Sequence, residues 1–120
     1  MNRLVTMFSA AVAAVMLSGS AWAAGDAVVT PAQIEAAKTP ADHETIAKAY
    51  DAEAAAADAK ATAHESMART YQAGGSPKGS HATMAGHCEK LVKQYRAVAE
   101  ENRQLAAAHR QMAKDCCEKK

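Results

Sequence analysis

MAGHCEKLVKQYRAVAEENRQLAAAHRQMAKDC, residues 84–116, decides the fold. Within it Met84, Cys88, Leu91, Tyr95, Val98, Asn102, Leu105, His109, Met112 and Cys116 recur at alternating steps of four and three. That is the seam spacing of a helix that packs along its length against another helix. Three of the seam positions are unusual: Cys88, Asn102 and His109 stand where a plain apolar residue would make a simpler core. Any function read from the chain must account for them.

Upstream of this helix runs Gly74-Gly75-Ser76-Pro77-Lys78-Gly79-Ser80, a glycine- and proline-rich turn signal. A loop over 74–81 is short enough to send the two flanking helices back antiparallel. The first arm, about 40–73, opens on Thr39-Pro40-Ala41-Asp42, with a capping threonine and proline at the first helical position. Its interior is rich in alanine, the strongest helix former. Its seam reads Ala47, Tyr50, Ala54, Ala57, Ala61, His64, Ala68 and Tyr71, so a partner helix can approach closely. The same start signal occurs earlier as Thr30-Pro31-Ala32-Gln33 and predicts a short helix over 31–38, stopped by Thr39-Pro40. The expected fold is all-α: an antiparallel, coiled-coil-like two-helix hairpin with arms at about 40–73 and 82–118, preceded by a short helix that folds back on one arm.

The first 23 residues read as a targeting segment. Arg3 supplies a positive charge, Leu4 to Leu17 is almost wholly apolar, and Ala21-Trp22-Ala23 is a small-x-small cleavage site. The apolar run is shorter than the roughly 20 residues of a membrane span, so cleavage after Ala23 leaves no anchor. A periplasmic or secreted protein is expected, with 24–38 as leader and short helix. Trp22 and Phe8 leave with the signal, and three tyrosines become the whole aromatic inventory. Stacking platforms for nucleic acid have almost no raw material.

Charge separates by arm. Eight acidic residues face four basic ones from Asp26 to Arg69, whereas nine Lys/Arg face five acidic residues from Lys78 onward. Opposite-signed arms attract each other first, so the pattern reads as internal complementarity. The arms also resemble one another at an offset of 45 residues: Tyr50 falls on Tyr95, His64 on His109 and Met67 on Met112. An internal duplication of one helix unit implies a local two-fold relation between the arms.

Met84-Ala85-Gly86-His87-Cys88-Glu89-Lys90-Leu91, with Tyr95, Asn102, Leu105, Ala106, His109 and Arg110, resembles small exported alanine-rich helical-hairpin proteins of Gram-negative bacteria that have no named activity. The resemblance covers most of the chain after the signal and implies a periplasmic hairpin.

Five histidines raise a metal reading. Facing residues of a hairpin that turns near Pro77 have numbers of nearly constant total, which pairs His43 with His109 and His64 with His87. The first pair falls beside Met112 and Cys116, the second beside Met67, Met84 and Cys88. Imidazole, thiolate and thioether together suit copper(I) or zinc. The other reading makes His64, Asn102 and His109 polar seam residues that fix register, with the methionines as core filler. His81 falls in the loop, where water would solvate it.

Cys88 and Cys116 lie about 42 Å apart along one straight helix, beyond bridging distance. Cys116 and Cys117 are left to free thiols, metal or bonds between chains. Catalytic signatures such as Gly-x-Ser-x-Gly are missing from the sequence, so an enzyme is not expected. A two-helix core has little area, and the hairpin is expected to seek a second copy or a helix of another envelope protein. The leading expectation is a non-enzymatic interaction module. Its rival is a soft-metal binding protein using His43, His109, Met112, His64, His87 and Cys88.

Overall fold

The structure, a computed structural model, describes residues 28–74 and 79–118. The expected signal, the start of the leader, most of the loop and the side chain of Cys117 lie outside the described residues. Among the described residues there are three helices: α1, Pro31–Ala36, α2, Pro40–Ala73, and α3, Ser80–Glu118. Helices α2 and α3 form an antiparallel hairpin, the all-α architecture that the periodicity predicts, and α1 lies back against α2.

Local chemistry sets the helix starts. Thr30 Oγ1 accepts from Gln33 N–H while Gln33 Oε1 accepts from Thr30 N–H, and Thr39 and Asp42 repeat this reciprocal cap one helix later. Asp42 Oδ2 also accepts from Lys38 N–H at 3.0 Å. That backbone bond, with those from Thr39, holds the Asp42 carboxyl below its ordinary range. Committing Lys38 to the second cap draws it out of the first helix, so α1 ends at Ala36 instead of Lys38. At the other end α3 begins at Ser80, earlier than expected. His81 therefore belongs to its first turn and meets Tyr71 edge-on, with ring centroids 6.0 Å apart. Gly74 permits that approach, since a Cβ there would fall 2.7 Å from His81 Nδ1.

The α2 seam is the expected one, with Ala47, Ala54, Ala57, Ala61 and Ala68 buried. On α3 half of the expected seam is displaced. Cys88, Asn102 and His109 are buried, but their inward companions are Ala85, Val92, Ala99 and Ala106. Met84, Val98, Leu105 and Met112 are between 41% and 48% exposed, and Leu91 is half-buried. The line through Cys88 and His109 has an apolar neighbour on each side at heptad spacing. Bulk favoured the larger one, but an alanine-lined α2 accepts only small partners at close range, which gives the position to Ala85, Ala99 and Ala106. The larger side chains flank the contact.

Opposite them, a ladder of polar pairs closes the other flank. Asp51 pairs with Arg110, Asp58 with Arg103, Glu65 with Arg96, and Gln72 donates to Glu89 at 2.8 Å. Both partners step by seven, so the ladder repeats once per heptad. Its members correspond at the 45-residue offset between the arms. Tyr50 stacks on His109 and, at equivalent positions of the repeat, Tyr95 stacks on His64. Asp51 and Arg96, Asp58 and Arg103, and Glu65 and Arg110 are also repeat equivalents, acid on α2 and arginine on α3. The local two-fold turns that difference in sign into cross-helix pairs.

Candidate functional site

Two features could meet another molecule: a histidine cluster at the open end of the hairpin, and the apolar lane on the outside of α3. At the open end α2 and α3 bring His43 and His109 together, Nδ1 to Nδ1 at 3.2 Å, with ring centroids 5.4 Å apart. Tyr50 covers the other side of His109 at 5.7 Å. A hydrogen bond between two like nitrogens requires one imidazole to donate and the other to accept, which two neutral rings of opposite tautomer satisfy. Burial, reinforced by the nearby His43, holds the His109 imidazole below its ordinary pKa. The contact tolerates one added proton but not two, since a second would oppose two N–H groups.

The remaining members of the expected clusters are dispersed. Met112 is exposed, and Cys116, also exposed, points its Sγ toward Lys38 O at 3.5 Å. His64 and His87 do not pair. His64 lies flat against Tyr95, centroids 5.6 Å apart, with its Nδ1 buried and unpartnered, and His87 is exposed on α3. The antiparallel register places Cys88 in the seam near His64 and turns its neighbour His87 outward. Cys88 itself is a buried free thiol. Among the described residues no group of three or more His, Cys, Asp or Glu side chains is placed to hold a metal ion.

Arg110, next to His109, is tied to Asp51 and Glu44. Its guanidinium is held above its ordinary pKa, chiefly by the Asp51 hydrogen bond. The ion pairs thus fence the open-end cluster on one side.

The second feature is the line Met84, Leu91, Val98, Leu105 and Met112, which steps by seven along α3. It spans about 42 Å at 1.5 Å per residue. Beside it on α2 lie Glu53 and Lys60, also seven apart, and between the helices runs a shallow groove that Val98 helps to line. Sequence reading assigned this line to the hairpin seam, and its free face is visible only once the close α2–α3 contact is known. Its heptad regularity was the available signal. No described helix is long and apolar enough to cross a membrane. Comparison with protein-family models, with curated proteins and with solved structures found no match.

Proposed function

We propose that the protein is a non-enzymatic helical interaction module of the periplasm or extracellular space, working by self-association through the outer face of α3. The observation that carries this reading is the exposed lane from Met84 to Met112, whose four exposed members are large apolar residues at strict heptad spacing. A monomer gains nothing from presenting such a row to water, and contiguous exposed apolar surface is the usual mark of an interface. The composition fits: six of the charges pair across the ladder, and aromatics are few. A folded state that associates is stabilised by mass action, so its melting temperature should rise with protein concentration between about 1 and 100 µM. A melting temperature constant over that range contradicts the proposal.

One contact favours a second reading, soft-metal binding by His43 and His109. Their nitrogen separation of 3.2 Å is close to the roughly 3.3 Å between two nitrogens held about 2.0–2.1 Å from one tetrahedral ion such as zinc. The remaining positions would fall to water or to Met112 or Cys116 after side-chain movement. A melt with zinc or copper(I) against a chelator tests it: metal at 100 times its dissociation constant adds about 2.7 kcal/mol. His43→Leu and His109→Leu should each abolish that rise. A rise that survives both substitutions removes the open-end site.

A further inference from the structure

We infer that the occupant of the α3 face is a second copy of this chain, docked antiparallel about a two-fold axis through Val98. The inference rests on the self-association reading and specifies its geometry. The lane reads Met84, Leu91, Val98, Leu105, Met112, the same in both directions. Turned end over end about its centre, it sets Val98 on Val98, Leu91 on Leu105 and Met84 on Met112, so each layer meets side chains of equal size. An isologous interface requires this self-complementarity.

The line beside the lane fits the same orientation. The next line outward on α3 is His87, Gln94, Glu101, Ala108 and Asp115. In an antiparallel pair centred on Val98, Glu101 comes opposite Gln94 of the second copy and His87 opposite Ala108. In a parallel pair the two-fold axis runs along the helices and sets the two α2 helices on opposite sides of the α3 pair, so α2 gains no contact with the second copy.

A third observation comes from α2. Glu53, Ala56, Ala57 and Lys60 line one groove together with Val98. The axis through Val98 therefore passes level with Ala56 and Ala57, midway between Glu53 and Lys60, and carries Glu53 toward Lys60 of the second copy. Both helices are thus complementary about one axis. The described chain begins at this groove: Val28, 66% exposed, lines it, and Val29 N–H donates to Glu53 Oε1 at 3.1 Å.

Site-directed cross-linking tests the geometry. In the full chain carrying Cys88→Ala, Cys116→Ser and Cys117→Ser, single cysteines are introduced and oxidised mildly at micromolar concentration. Val98→Cys should give a covalent dimer in more than half of the chains. Leu91→Cys alone and Leu105→Cys alone should give little, and an equimolar mixture of those two variants should cross-link. Cross-linking by Leu91→Cys alone indicates a parallel pair and overturns the inference. Sedimentation of the same background before oxidation separates the two levels of failure. A dimer that Val98→Cys cannot cross-link overturns this geometry and leaves self-association standing, whereas a monomer overturns both.

Discussion

His109 is the residue where burial and chemistry conflict most directly. Its imidazole is 6% exposed, lies between His43 and Tyr50, and is held below its ordinary pKa mainly by loss of water. The unfolded chain takes up a proton near pH 6.5 while the folded chain resists it, so in that window the unfolded state binds more protons. Stability contributed by the neutral ring is complete above pH 6.5 and is lost as pH falls toward the lowered folded value. Urea titrations should show unfolding becoming easier from about pH 7.5 to pH 5.5, and His109→Leu should flatten this part of the profile. At pH 7.5 His109→Leu should be neutral or stabilising by up to about 1 kcal/mol, because a buried polar ring is exchanged for a hydrocarbon of similar size. A stronger acid sensitivity in the leucine variant would contradict the assignment. Ala99, fully buried, presents the opposite case. Ala99→Leu inserts bulk where α2 and α3 approach over alanine and should cost about 1–3 kcal/mol in the same titration.

Each helix carries its own start signal, and the ladder decides how two of them align. The pairs of Asp51, Asp58 and Glu65 with arginine are largely exposed, so each contributes only about 0.2–1 kcal/mol. Their value is in register: sliding α3 by one residue breaks all three at once. Asp58→Arg should destabilise by about 1 kcal/mol through the new repulsion with Arg103, and Asp58→Arg with Arg103→Asp should recover most of it. Failure of the double swap to recover stability would remove the ladder from the account. The reciprocal cap at Thr39 is independent, and Thr39→Ala should lower stability by about 1 kcal/mol, read by circular dichroism on heating.

At this scale the sequence was informative but ambiguous. Caps, the turn and the α2 seam followed from local rules, because proline, glycine and capping threonine act within a few residues. The α3 seam did not, because both lines beside Cys88 and Asn102 are apolar, and only the closeness of α2 selects the small one. His43 and His109 were legible from hairpin arithmetic alone. His64 and His87 were not, since a residue beside the seam can point away from it while its number still fits.

For the whole molecule, the consequence is a hairpin with two unlike flanks. One is closed by the arginine ladder. The other presents Met84, Leu91, Val98, Leu105 and Met112, with Leu91 half-buried and the rest exposed. The core between α2 and α3 is mostly alanine, so it buries little area per residue and leaves the hairpin dependent on further contacts. The proposed association through the apolar flank would supply them. Sedimentation equilibrium of the protein and of its Val98→Asp variant, at concentrations spanning about 1 to 100 µM, tests this most directly. The parent chain should be a dimer, and Val98→Asp a monomer of nearly unchanged low-temperature helicity. Equal masses for the two proteins, whether both monomer or both dimer, would contradict it.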